Sequence, residues 1–224
     1  MKIIIGMLLI LAGFCVGSVM FSRILPKLIL KKDIQLSGRD ENPGAANVFM
    51  HCGWKLGLIC LALDMLKGFI PVFLALILLG EKNAFIPFII LAPTLGHAVA
   101  PFNHFKGGKC ISTVFGELIA LLKITPVGLI LAALYILFST LIKNMPNRLR
   151  SIWAFSLFIV IATPFLIYFK HITVAIGCVL VSVTALIKHS TLFVNEAQAE
   201  FEKSLRGEAA AESESLDTEL VEIK

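Results

Sequence analysis

Seven stretches of this chain run nearly without charge: about Ile3 to Phe21, Leu56 to Leu79, Phe85 to Pro101, Ile111 to Leu122, Val127 to Ile142, Ile152 to Phe169 and Ile172 to Ile187. In hydrocarbon a backbone must satisfy its own N–H and C=O groups, so such stretches fold as helices. About 20 apolar residues cross a bilayer core of about 30 Å. The pattern predicts an all-α, polytopic membrane helical bundle of about seven transmembrane segments. Ile111 to Leu122 is short for a span, which calls for tilt, re-entrance or backing by protein. The chain is 58% hydrophobic with a mean hydropathy of +0.90. A soluble domain averages about 45–50% apolar residues, so an ordinary soluble core is excluded.

Charge sets the expected orientation. Residues 196–224 hold nine of the 15 acidic residues and three of the 20 Lys and Arg, so the first 195 residues carry a formal +11. The predicted division is a membrane domain over 1–195 and an acidic, partly disordered tail over 196–224. Alternate loops collect Arg23, Lys27, Lys31, Lys32 and Arg39, then Lys106 and Lys109, then Lys143, Arg148 and Arg150. The opposing loops hold only Lys82, Lys123 and Lys170. The positive-inside rule places the N-terminus outside and the tail in the cytoplasm. Basic loops between apolar runs point to a lipid bilayer as the partner, not to nucleic acid. Met1-Lys2 and the apolar run after it lack a small-x-small cleavage pattern and read as an uncleaved first span. The region from Arg23 to Arg39 reads as a loop with room for a short interfacial helix, and Lys143 to Arg150 as a basic loop.

Two polar islands fall on the expected cytoplasmic face. In Asn42-Pro43-Gly44-Ala45-Ala46-Asn47, Pro43 suits the first turn of a helix. That helix would turn free N–H groups toward the loop, where they bind anions well. Gly44 permits close backbone approach, and Asn42 and Asn47 supply neutral donors and acceptors. An ordinary interfacial turn fits the same residues. In Lys106-Gly107-Gly108-Lys109 the glycines would bare backbone amides between two lysines, a nest suited to phosphate. A positively charged loop with flexible glycines is the alternative. Asp64 and Lys67 lie three apart on one helical face inside the second span, so they read as a structural intramembrane pair. His97, His104 and His189 lie toward the cytoplasmic side, and His171 reads as an outer interfacial residue. The five cysteines show neither disulfide nor metal spacing, and no metal or cofactor is expected. No histidine is followed five positions later by Asp; those positions hold Leu56, Phe102, Lys109, Ile176 and Val194. The His/Asp pair of many thioester-dependent acyltransferases is therefore missing.

Gly17-Ser18, Asn42-Pro43-Gly44-Ala45-Ala46-Asn47-Val48, Leu63-Asp64-Met65-Leu66-Lys67-Gly68, Gly96-His97 and Phe105-Lys106-Gly107-Gly108-Lys109 occur in an order and spacing that resembles a family. It is that of the bacterial acyl-phosphate:glycerol-3-phosphate acyltransferases, and the likeness covers about residues 10 to 190. The resemblance implies seven helices with the site in cytoplasmic loops of the bacterial inner membrane. It implies acyl phosphate and glycerol 3-phosphate as substrates, lysophosphatidic acid and phosphate as products, and an acyl-phosphate-producing enzyme as a partner. On that likeness His189 and Asn47 are the catalytic candidates. Asn42, Gly44, Lys106, Gly107, Gly108, Lys109, Arg148 and Ser151 are the substrate and phosphate contacts. The chain departs from the family pattern at Arg39-Asp40-Glu41, where Gly-Ser-Gly is usual. Met50 replaces a basic residue, Arg148 a Ser, and Leu192 an Asn. Arg148 is then expected either to replace a lost anion contact or to anchor its loop to headgroups. A divergent family member without activity or with another substrate, and a transporter of a phosphate-bearing solute, are the competing readings.

Overall fold

The computed structural model describes residues 1–31, 44–142 and 145–191. Asn42, Pro43, Leu192 and the acidic tail lie outside the described residues. Among these residues every regular element is helical. Helix α1 (Lys2–Gly17) and α2 (Phe21–Leu30) meet at a 44° bend. The sequence predicts one span to Phe21 and beyond it a loop with room for a short interfacial helix; the chain instead breaks at Ser18-Val19-Met20, and the short helix follows at once. Two hydrogen bonds account for the break. Ser18 Oγ donates to the Phe14 carbonyl at 2.7 Å. The Val19 carbonyl is taken by Lys67 Nζ at 2.7 Å, outside the helical ladder. Helix α2 then buries Ser22 and Pro26 and exposes Leu28 and Ile29.

Helix α3 (Ala45–Cys52) runs between two glycines. Gly44 is extended at its N-cap, and Gly53 ends it at φ 88°, a conformation that side-chain-bearing residues rarely adopt. Helix α4 (Trp54–Leu78), α5 (Ile86–Val99), α6 (Ile111–Leu121) and α7 (Val127–Leu141) follow. Helix α8 spans Asn147–Tyr168 and α9 spans Ile172–Thr191. The sixth apolar segment is predicted from Ile152, but α8 already begins at Asn147. Pro146, extended at ψ 139°, serves as its N-cap, so part of the predicted basic loop is helical.

Among the described residues four helices are long and apolar enough to cross a membrane: α4, α5 extended to Asn103, α8 and α9. The bent pair of α1 and α2 makes a fifth. Helices α6 and α7 have 11 and 15 residues. At about 1.5 Å per residue they reach about 16 and 22 Å, short of the hydrocarbon core.

Close backbone approach joins the helices. A Cβ on Gly17 would lie 2.2 Å from the Pro93 carbonyl oxygen, which sets the α1–α5 crossing. A Cβ on Gly116 would lie 1.9 Å from the Met65 carbonyl oxygen, and one on Gly68 2.2 Å from that of Thr113. Lipid offers no hydrophobic drive between helices, so small residues that admit van der Waals contact hold them together. Phe155, Phe158, Leu131 and Leu118 lie in the buried interior. Leu58, Ile77, Phe88, Ile136 and Val160 face outward, as lipid-bathed positions do. Ala45 and Val48 of α3 pack on Leu56 and Cys60 of α4. That packing fixes the start of α3, with Asn47, against the bundle.

Candidate active site

The Asp64–Lys67 pair sits almost fully buried, and an unpaired charge there would be costly. Each charge faces its opposite or a polar partner. Lys67 Nζ lies 2.8 Å from Asp64 Oδ1, 2.7 Å from the Val19 carbonyl and 2.8 Å from His97 Nδ1. Two of these contacts are hydrogen bonds, and the third is the ion pair with Asp64. Ser22 donates to the other Asp64 oxygen at 2.9 Å. A charged ammonium has no lone pair, so His97 Nδ1 must accept and its proton resides on Nε2.

His97 supports the second island. Gly108 N–H donates to the His97 carbonyl at 3.1 Å, and a Cβ on Gly108 would lie 2.3 Å from His97 Nε2. A Cβ on Gly107 would lie 2.0 Å from the Ala98 carbonyl oxygen. The predicted nest of two bare amides is thus corrected at Gly108. Its amide is already bonded within the fold, and both glycines serve close packing on the end of α5. Two further bonds brace the turn. The Arg23 guanidinium donates to Asn103 Oδ1, and Asn103 Nδ2 donates to the Lys106 carbonyl at 2.6 Å. Lys188 of α9 reaches the Ala98 carbonyl at 3.0 Å. Cys110, buried at the start of α6, has its thiol pushed up to about 12 by burial.

The braced turn sends its lysines different ways. Lys106 is exposed, whereas Lys109 lines a cavity of about 240 Å³. Gly44, Asn47 and Met50 form the α3 wall of that cavity. Tyr135 of α7 and Asn147, Arg150 and Ser151 of α8 close the opposite side. Among the described residues no Asp or Glu lines it. Ser151 Oγ donates to the Asn147 carbonyl at 3.0 Å. Arg150 bonds Asn147 Oδ1 at 3.0 Å and the Met145 carbonyl at 3.3 Å.

Of the predicted contacts, Gly44, Asn47, Lys109 and Ser151 come together here. Lys106, Gly107, Gly108 and Arg148 are not among the lining residues. Arg148 and Lys109 instead lie within electrostatic reach of His189. His189 is 1% exposed, beside the Lys109 backbone, and neither ring nitrogen makes a hydrogen bond of good geometry. Sequence reasoning missed Tyr135, Asn147 and Arg150. A larger groove of about 480 Å³ between α1 and α5 is walled by Met7, Phe14, Phe88 and Leu95 and shares no residue with the polar cavity.

A model of the glycerol-3-phosphate acyltransferase family matches residues 7–196. The chain belongs to that family. It is 43% identical over 113 residues to glycerol-3-phosphate acyltransferase 1 of Thermotoga maritima, covering 48% of this chain and 53% of that protein. It is 34% identical over 131 residues to glycerol-3-phosphate acyltransferase 2 of the same organism, covering 58% and 65%. The matched segment thus spans about half to two thirds of these relatives. The fold is similar to that of PlsY (YgiH), an integral membrane glycerol 3-phosphate acyltransferase, in its glycerol 3-phosphate crystal form. The TM-score is 0.72 at 27% identity, over 87% of this chain and 92% of that one. The lysophosphatidic acid form of PlsY matches with a TM-score of 0.68 at 26% identity. This is an acyltransferase family of integral membrane proteins.

Proposed function

We propose that this protein transfers a fatty acyl group from acyl phosphate to the 1-hydroxyl of sn-glycerol 3-phosphate. The observation that carries the reading is a cavity that gathers Asn47, Lys109, Arg150 and Ser151, with no acidic residue among the described residues lining it, between the starts of α3 and α8. Cationic and neutral donors without a competing carboxylate suit a phosphate dianion. The family and the ligand-named forms of PlsY support the choice of acceptor.

An acyl phosphate is a mixed anhydride with a good leaving group, so the protein's task is to position two anions and offset their repulsion. The hydroxyl oxygen forms the new ester bond to the acyl carbon as the carbon–oxygen bond to phosphate breaks. The hydroxyl proton leaves with inorganic phosphate, relayed by His189, which lies against the Lys109 backbone. Asn47 orients the acceptor, and Lys109, shared between the cavity and His189, faces the phosphate oxygens. Arg148, beside His189, serves the donor phosphate. Asn42 is assigned with Gly44 to shaping the α3 end, and Lys106 to drawing anions to the loop.

The reading includes seven membrane segments over 1–195 with the N-terminus outside, the site on the cytoplasmic face of a bacterial inner membrane, and a partner enzyme that supplies acyl phosphate. The missing His/Asp pair favours acyl phosphate over a thioester. A purified sample supplied with glycerol 3-phosphate and either palmitoyl phosphate or palmitoyl-CoA tests this. Lysophosphatidic acid should form rapidly from the phosphate donor and slowly from the thioester. Equal rates would overturn the donor assignment, and no product from either would overturn the reaction.

A further inference from the structure

The geometry points to Arg150 as the residue that selects the acceptor, by gripping the phosphate of glycerol 3-phosphate opposite Lys109. The inference rests on the function proposed above and adds a residue that the sequence did not single out. Arg150 lines the cavity from α8 while Lys109 lines it from the turn before α6. Its bonds to Asn147 and Met145 use Nη1 and Nη2 and hold the guanidinium in place. Its Nε–H is shielded from solvent and has no partner. A buried donor left unpaired costs free energy unless a ligand meets it. The Tyr135 hydroxyl is also shielded and lies beside Ser151 and Arg150 on the same wall. A donor in want of an acceptor, the Arg150 Nε–H, therefore borders a cavity that holds two cations and, among the described residues, no carboxylate.

Size favours the acceptor over the donor. At about 240 Å³ the cavity lies below the usual range for ligand pockets, about 300–1,000 Å³, so it suits a small polar molecule rather than a fatty acyl chain. Arg148 lies one residue past Asn147, about 100° around the helix, whereas Arg150 and Ser151 return to the Asn147 face. The two arginines thus serve different directions from one helical turn.

The test compares wild type with Arg150→Gln and Arg150→Lys. The KM for glycerol 3-phosphate should rise about 10- to 150-fold in Arg150→Gln, the value of a charge-assisted bond, and less in Arg150→Lys. The KM for palmitoyl phosphate should stay within about twofold. A rise in the donor KM alone, or no change in either, overturns the assignment. Protection against thermal unfolding by glycerol 3-phosphate and by inorganic phosphate is measured alongside, since it needs no turnover. If wild type is protected but inactive and Arg150→Gln loses the protection, the grip stands and the proposed reaction falls. If neither phosphate protects wild type, the grip falls. Should Arg150→Gln fail to fold, Arg150→Lys decides, and an unchanged acceptor KM and unchanged protection overturn the proposal.

Discussion

Replacing Lys67 by Met strips Asp64 of its ammonium and leaves it buried with only the Ser22 hydroxyl. Breaking a buried pair by removing one partner costs about 3–5 kcal/mol. Asp64→Leu should cost a similar amount, because the ammonium keeps only the Val19 carbonyl and His97 Nδ1. If the two effects were independent, the double variant would lose roughly 6–10 kcal/mol. With both charges gone, the losses are the bonds to Ser22, Val19 and His97. At about 1 kcal/mol each these come to about 3 kcal/mol. The double variant should therefore be more stable than the sum of the singles predicts, by at least about 3 kcal/mol. Equilibrium unfolding in mixed micelles of dodecyl sulfate and a non-ionic detergent reads this through tryptophan fluorescence, since Trp54 opens the helix that carries both residues. Additive losses, or a Lys67→Met cost below about 1 kcal/mol, would refute the account of these residues as a mutually dependent strut.

Gly108→Ala drives a Cβ to 2.3 Å from His97 Nε2, and Lys67 holds that ring in place. The turn must shift and carry Lys109 with it, so kcat/KM should fall at least about tenfold, equivalent to about 1.4 kcal/mol of transition-state binding; activity within twofold of wild type would contradict the packing argument. Burial pushes the Cys110 thiol well above its ordinary value, so near pH 8 it stays in the unreactive thiol form. Maleimide should spare Cys110 in the folded protein while labelling the half-buried Cys52, and peptide mapping that finds Cys110 labelled first would show that the α6 start opens. Finally, a cysteine placed at Lys106 should react only with membrane-permeant reagent in intact cells; labelling from outside would reverse the proposed topology.

Apolar runs are read directly from sequence because lipid leaves a polar backbone no partner but itself, and that fixes helix regardless of what packs nearby. The seven runs and the bilayer setting belong to this local level. So does the Asp64–Lys67 pairing, where the helical repeat alone puts the two side chains on one face. What lies between the runs depends on distant partners. The break after Ser18 requires the Lys67 ammonium to claim the Val19 carbonyl from another helix. Gly107 and Gly108 look like an anion nest until the end of α5 is known to lie against them. The role of Arg150 is hidden in the sequence for a similar reason. Read as loop, Asn147 to Ser151 has no face; read as the first turn of α8, Asn147, Arg150 and Ser151 align and Arg148 turns away. The cavity itself joins α3, the turn before α6, α7 and α8, about a hundred residues apart in sequence. No periodicity within one segment encodes such a meeting. It follows from helix crossings set by glycine-to-carbonyl contacts, and those exist only once the bundle has formed.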